Sequence, residues 1–357
     1  MSKKFRKSLT WLSPGKIKLT EKEMPKVSDD EVLVEVKACA ICGSDLRIWE
    51  FGNNRVESGQ TIGHEVSGKV TEIGDNVKKF KLNDRVSIGA DIPCGKCTYC
   101  SNGMPNCCET NLAIGHQLEG GFSEYILLNS STVNEGPVHK ISSDTSYEEA
   151  ALAEPLACCL NGYEVSSVKK GSHIVIFGAG SIGLMLSILG KVYAAQSVTL
   201  IDINKNKLNL VKEINKEVNL IDSSKNNIKN EILKITDQKG ADVVFIACSS
   251  TKAQEDGIKI LAKKGCINFF AGVSDNSPLL NIDSNLVHYG EICITGSHGS
   301  TPKQHRLALK LIENHKVDIK KLITHRFSLN NVLEGYKMAA SDESVKVVIK
   351  PGMENKN

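Results

Sequence analysis

The chain has 357 residues, a length that favours two domains over one core. Apolar residues make up 41% and charged residues 24%, an ordinary globular balance, and a net charge of +3 spread among interleaved lysines and acids gives no footprint for nucleic acid. No apolar run approaches the roughly 18–20 residues of a membrane span, and no apolar stretch follows the basic start MSKKFRK as a secretory signal requires, so the expectation is a cytoplasmic protein with no membrane partner, whose thiols stay reduced.

In chain order, the runs EVLVEVKACAI (31–41), HEVSGKVTEIG (64–74), DRVSIG (84–89) and FSEYILL (122–128) are short and broken by Gly, Asp and Asn. They predict an antiparallel β domain over residues 1–152. Three polar groups near these runs stand out: the thiol of Cys42 in ACAICGSDLRIWEFG, the imidazole of His64 in TIGHEVSGKVTEIG, and a carboxylate, either the adjoining Glu65 or Glu154 in ALAEPLACCLNG. Together they form the donor set of a three-ligand zinc site with an open fourth position, the catalytic arrangement for that metal. Each alone is weak, since a single His or a small buried Cys is more commonly structural.

The stretch IPCGKCTYCSNGMPNCCE (92–109) holds five of the twelve cysteines. Cys94, Cys97 and Cys100 repeat as C-x2-C-x2-C, and Cys108 follows after seven more residues. Two-residue spacers let a tight turn aim neighbouring sulfurs at one ion, and four thiolates satisfy tetrahedral zinc with no open position, which makes a structural site. An iron–sulfur cluster or plain buried thiols are the weaker readings. Only one of Cys107 and Cys108 can easily point inward, and Cys108 is chosen because it lies better placed after the turn at Gly103.

Residues 173–177, HIVIF, run into Gly178-Ala179-Gly180-Ser181-Ile182-Gly183, then a helical pattern LMLSILGKVYAA, then SVTLID ending at Asp202. Strand, glycine turn, helix, strand and acid fall at the spacing of a dinucleotide fold. Gly178, Gly180, Ser181, Ile182 and Gly183 form the pyrophosphate turn, with the phosphates at the positive helix N-terminus. Asp202 accepts ribose hydroxyl hydrogen bonds and repels a 2′-phosphate, so NAD is expected over NADP, although Lys205 and Lys207 lie close by. Further runs VNLI (218–221), DVVFIA (242–247), CINFFAG (266–272) and EICITG (291–296) complete a doubly wound parallel sheet over 153–291. SSKNNIKNEILK (223–234) predicts a solvated helix and its approach. The tail, 292–357, carries a helical segment QHRLALKLIENH and a strand VKVVIKP, and is expected to return to the first domain.

These motifs together resemble the zinc-dependent medium-chain dehydrogenase/reductase family over essentially the whole chain. The resemblance rests on CGSD (42–45), GHEVSGKVTEIGDNV (63–77), the four-cysteine loop, GGFSEY (120–125), AEPL (153–156) and GAGSIG (178–183). Within the family, WEFG after CGSDLRI and the run EPLACC are most similar to sorbitol and other polyol or polyol-phosphate dehydrogenases. The resemblance implies an α/β fold: a GroES-like antiparallel β catalytic domain plus a Rossmann doubly wound sheet. It implies Cys42, His64 and Glu154 as catalytic-zinc positions, with Glu154 acting through water in some relatives and Glu65 as an alternate ligand. It implies Ser44 as the hydroxyl that relays the substrate proton and Asp45 as the group orienting the imidazole. It further implies two zinc ions per subunit and a homo-oligomer, tetramer rather than dimer.

Three positions depart from the family pattern. Arg47 stands where many relatives carry a relay histidine. TGSHGST (295–301) lacks the arginine that polyol dehydrogenases place near substrate oxygens, with His298 its nearest polar substitute. Asn83 replaces a glycine in KLNDRV. The function expected is reversible NAD-linked oxidation of a secondary alcohol of a polyol or sugar alcohol, free or phosphorylated, to a ketone. The alternatives are L-threonine 3-dehydrogenase or another zinc alcohol dehydrogenase and, from a different class, a nucleotide-binding protein without dehydrogenase activity.

Overall fold

The computed structural model describes residues 4–273 and 278–354. The chain divides into two compact units, Met1–Ala157 with Gly299–Asn357, and Cys158–His298.

In the first unit, β1 (Phe5–Ser13) and β2 (Lys16–Glu23) form an antiparallel hairpin. They are followed by β3 (Val32–Ala40), α1 (Gly43–Phe51), β4 (Glu65–Ile73) and β5 (Arg85–Ile88). Short elements come next: β6 (Asp91–Ile92), α2 (Thr98–Ser101), β7 (Leu112–Ala113), β8 (Tyr125–Leu128), α3 (Ser130–Glu135), β9 (Val138–Lys140) and α4 (Tyr147–Ala151). The chain enters the second unit through α5 (Ala153–Val165).

Strand β3 organises the first unit. It pairs antiparallel with β4 along its length and with β8 over Val32–Glu35. No residue of VLVEVKACA is exposed, as expected of a strand with neighbours on both edges. Beneath the sheet, Leu9, Val34, Ile62, Phe122, Ile126, Tyr336 and Ile349 belong to one apolar core. In the turn before β5, Asn83 takes the left-handed conformation at φ 71°, which asparagine adopts more readily than most residues, so it can stand in place of glycine.

The second unit alternates strand and helix, because each apolar run is too short and too buried to stand without a helix covering it. Its elements are β10 (His173–Phe177), α6 (Ser181–Val192), β11 (Ser197–Asp202), α7 (Lys205–Ile214), β12 (Asn219–Asp222) and α8 (Ile228–Ile235), then β13 (Ala241–Ile246), α9 (Thr251–Lys259), β14 (Leu261–Phe269), α10 (Ser284–Gly290) and β15 (Cys293–Gly296). The six strands are all parallel, in the order β12-β11-β10-β13-β14-β15. The order reverses between β10 and β13, where a doubly wound sheet opens a crevice at its strand carboxyl ends. Strand β14 begins at Leu261, earlier than its apolar run suggests, because Leu261 pairs with Ala241 before a register shift.

The tail carries α11 (Pro302–Glu313), β16 (Ile323–Ser328), α12 (Val332–Ala340) and β17 (Lys346–Lys350). α11 starts on a capping box between Thr301 and Gln304 with Pro302 in the first turn, an N-terminus that fixes the helix two residues before its apolar periodicity begins. β17 pairs antiparallel with β3 at Cys39 and Ala40, and parallel with β16. Among the described residues, no helix is long and apolar enough to cross a membrane.

Candidate metal centres and nucleotide turn

Cys42 and His64 meet because β3 and β4 are antiparallel neighbours and both side chains lie at the same end of the pair. Ala40, the last residue of β3, is opposite Glu65, the first of β4. Cys42 then caps α1 with extended backbone, and the buried carboxylate of Asp45 accepts the Cys42 backbone N–H at 2.9 Å. The ligand atoms of Cys42, His64 and Glu65 all lie within 4.8 Å of one another.

The imidazole of His64 has a polar neighbour close to each nitrogen. Asp45 Oδ1 lies 3.3 Å from Nδ1, and Ser44 Oγ lies 3.3 Å from Nε2. With the Nδ1 proton facing the carboxylate, Nε2 is the lone pair turned toward Ser44 and the thiol, the orientation a carboxylate–histidine pair gives a metal ligand. Burial opposes charge on the ring, but Asp45 and Cys42 outweigh it and raise the His64 pKa well above its ordinary value. Surroundings that favour a proton here also favour a divalent cation.

Glu65 is fully buried, and its two oxygens differ. Oε1 accepts from Lys346 Nζ at 2.6 Å, and the same ammonium donates to the Ile41 carbonyl at 3.1 Å. Oε2 is buried without a hydrogen-bond partner. A buried carboxylate oxygen left unsatisfied is costly unless a cation or donor completes it. Thiolate, imidazole and carboxylate oxygen are donors that suit zinc, so the residues present fit the ion.

Glu154 lies in the first turn of α5, is buried, and stands outside that tight group of three. Burial pushes its carboxyl up to about 7, with His64 pulling it down and Glu65 and Asp91 pushing it further up. It is therefore within electrostatic reach of the group. Arg47 is exposed on α1, and the His298 carbonyl accepts from Asn161 Nδ2 at 3.3 Å.

The second cluster is the cysteine loop. Cys94, Cys97, Cys100 and Cys108 bring their sulfurs within 4.8 Å of one another, while Cys107 is exposed. Cys97 Sγ stands 3.5 Å from Cys100 Sγ and 3.9 Å from Cys108 Sγ, contacts far longer than a disulfide. Backbone N–H groups point at the sulfurs: Cys94 N–H toward Cys108 Sγ at 3.2 Å and Cys97 N–H toward Cys94 Sγ at 3.3 Å. The N–H groups of Lys96 and Cys97 hold the Cys94 thiol down at about 6, favouring the thiolate that binds metal. Four converging sulfurs fit a closed tetrahedral site.

In the second unit the glycine turn divides its labour. Gly178 takes φ 109°, and a Cβ there would sit 2.8 Å from the Ala247 carbonyl. A Cβ at Gly183 would collide with the Gly178 carbonyl, so α6 packs closely on β10 only with glycine in that place. Gly180, the N-cap of α6, has nothing within 4 Å of its missing Cβ. Open space over the first turn of a helix is where a pyrophosphate is received, and Ser181 and Ile182 supply the turn's leading N–H groups. Asp202 closes the arrangement: Oδ2 accepts Ala179 N–H at 2.7 Å and Oδ1 accepts Asn204 N–H at 2.8 Å. Each oxygen keeps a second lone pair for a ribose hydroxyl, so this turn fits a dinucleotide.

Two residues of the first site are not evident from the sequence. Lys346 opens an apolar strand and is only 2% exposed, and a lysine beginning a buried strand is the one available signal. His116 lies in the turn after β7 with its ring 5.8 Å from that of His64, and burial, together with His64, lowers its pKa.

Comparison with known proteins identifies the family. Residues 28–138 match the alcohol dehydrogenase GroES-like domain, and residues 181–314 match the zinc-binding dehydrogenase domain. The chain is 31% identical to sorbitol dehydrogenase of Halalkalibacterium halodurans, covering 94% of this chain and 96% of that protein. It is 29% identical to D-arabitol-phosphate dehydrogenase of Enterococcus avium, covering 98% and 99%. A zinc-binding dehydrogenase structure from Sinorhizobium meliloti, bound to NADP, superimposes with a TM-score of 0.89 at 28% identity, over 98% of this chain and 100% of that one. Both domains, in one order and over nearly full length, place this chain in the zinc-dependent medium-chain dehydrogenase family.

Proposed function

We propose that the protein oxidises a secondary alcohol of a polyol or sugar alcohol, free or phosphorylated, to the ketone with NAD, reversibly. The observation that carries the reading is the Cys42–His64–Glu65 group with the Ser44 hydroxyl beside His64 Nε2. Cys42, His64 and Glu65 or Glu154 would hold the catalytic zinc, and Cys94, Cys97, Cys100 and Cys108 a structural one, giving two ions per chain. When bound, zinc supplies the Lewis acidity that acidifies an alcohol, and the nicotinamide accepts hydride. Ser44 takes up the hydroxyl proton at Oγ and passes it outward. Asp45 holds the imidazole in one orientation, and Lys346 holds the Glu65 carboxylate in place through their 2.6 Å contact. Similarity to sorbitol and arabitol-phosphate dehydrogenases supports the polyol class.

The test is NADH formation over pentitols, hexitols, their phosphates, simple secondary alcohols and threonine. Turnover of polyols or their phosphates supports the proposal. Turnover of threonine alone would replace it with the threonine 3-dehydrogenase reading.

Asp202 sets the cofactor choice in this reading. Asp202→Ser removes a charge facing the ribose and two backbone contacts of the turn. The ratio of kcat/KM for NAD over NADP should fall by about tenfold or more, each tenfold being about 1.4 kcal/mol. A wild-type enzyme that prefers NADP would contradict the assignment.

The cysteine loop should matter for assembly more than for chemistry. Cys97→Ser should lower the zinc content by about one ion per chain and the thermal midpoint with it, since a structural zinc site contributes folding energy directly. Unchanged metal content would exclude a shared ion. A cytoplasmic homo-oligomer, tetramer rather than dimer, completes the proposal. The outer edge of β15, with Ile294 partly exposed, offers a strand for such pairing, and sedimentation measures the state.

A further inference from the structure

His116 has no part in the reading above, yet it is the imidazole nearest His64, with ring centroids 5.8 Å apart and planes inclined at 54°. Its position is tightly determined. His116 and Leu118 N–H groups both donate to the Ala113 carbonyl, at 3.2 and 3.1 Å, and Gly115 N–H donates to Leu118 O at 2.9 Å. The residues that follow are tied to the segment leading into His64: Gly120 N–H to Thr61 O, Phe122 N–H to Ile62 O and Gly121 N–H to Gly63 O, at 2.8–3.0 Å. Gly115 takes φ 74°, and a Cβ there would meet the Gly63 carbonyl at 2.7 Å, so the turn bearing His116 lies directly on the backbone bearing His64. The two rings keep their spacing because the two backbones cannot separate without breaking these bonds.

The ring also has a defined polarity. His116 Nδ1 lies 3.4 Å from the Ile114 carbonyl, which can only accept, so Nδ1 carries the proton. Nε2 then keeps its lone pair. No hydrogen bond to Nε2 is found among the described residues, and the side chain is only half-buried, so this nitrogen is open to a donor from outside the chain.

We propose that His116 determines specificity: its Nε2 accepts a hydrogen bond from a substrate hydroxyl neighbouring the carbon that is oxidised. This inference rests on the polyol reading. A polyol carries such a hydroxyl beside every reacting carbon, whereas a simple secondary alcohol has none.

The test compares wild type with His116→Leu on a pentitol and its mono-deoxy analogues, each lacking one hydroxyl beside the reacting carbon. Zinc content and NADH binding are measured on both proteins, and pentitol binding to the NADH-loaded enzyme is measured by calorimetry. A neutral hydrogen bond is worth about 0.5–1.5 kcal/mol, or roughly 2- to 12-fold. His116→Leu should therefore weaken pentitol binding and kcat/KM by roughly tenfold, mostly through KM, while leaving the analogue that lacks the contacted hydroxyl unchanged. Equal losses on every substrate, or no loss on any, would overturn the role of His116 while leaving the polyol reading intact. A wild-type enzyme inactive on all polyols would overturn the polyol reading itself, and the hydroxyl contact with it.

Discussion

Cys42→Ala should reduce turnover by more than about 10³-fold while leaving the affinity for NAD within a few-fold of wild type. The size follows from the proposed role of the thiolate as a zinc ligand. A bound zinc is worth several kcal/mol to the transition state, and each 1.36 kcal/mol is about tenfold in rate. The selectivity follows from the fold. The glycine turn at Gly178–Gly183 and Asp202 belong to the second compact unit, and Cys42 to the first. In the proposed function, the phosphate and ribose of NAD are held by residues of the second unit, and the thiol is not one of them. Titration with NAD beside steady-state turnover separates the two effects, and metal analysis should show one zinc fewer per chain. Near-normal turnover in the variant would exclude Cys42 from the chemistry.

Lys346→Met should have the largest effect on stability. Lys346 and Glu65 are respectively 2% and 0% exposed, and their contact of 2.6 Å is a buried ion pair. Removing one partner strands a charge in a low-dielectric interior, which costs about 3–5 kcal/mol. For a protein whose total stability is typically only 5–15 kcal/mol, that loss is plain in a denaturant titration. Adding Glu65→Gln to Lys346→Met removes the stranded charge, so the double variant should recover much of the loss, and the double-mutant cycle measures the coupling directly. If Lys346→Met alone unfolds at the wild-type denaturant concentration, the pair does not hold Glu65.

How much of this was legible in the sequence depends on how local each signal is. The second unit was readable almost strand by strand, because GAGSIG, the run HIVIF before it and Asp202 after it all fall within one strand–helix–strand unit whose geometry is set by neighbours along the chain. The cysteine loop was readable for the same reason: its four sulfurs lie within fifteen residues. The pairing of Cys42 with His64 needed the register of β3 against β4, which periodicity suggests but does not determine. The choice between Glu65 and Glu154 stayed open, since both are acids beside apolar runs. The structure sets Glu65 with Cys42 and His64 and leaves Glu154 in electrostatic reach. Lys346 was out of reach altogether. Its partner lies 281 residues away, and only the return of β17 alongside β3 brings the two together. The β2 half of the first hairpin gives little sequence signal because it buries little: KIKLTEKE contains no fully buried position and so has no core face.

Zinc-dependent oxidation of a polyol with NAD can be tested on the metal itself. The measurement follows NADH formation from the best polyol as metal is withdrawn by a chelator and then restored, with zinc counted at each stage. Turnover should disappear as the chain falls from two zinc ions toward one, while NAD still binds, and added zinc should restore it. A chain stripped of metal that reduces NAD at the untreated rate would contradict the dependence on zinc.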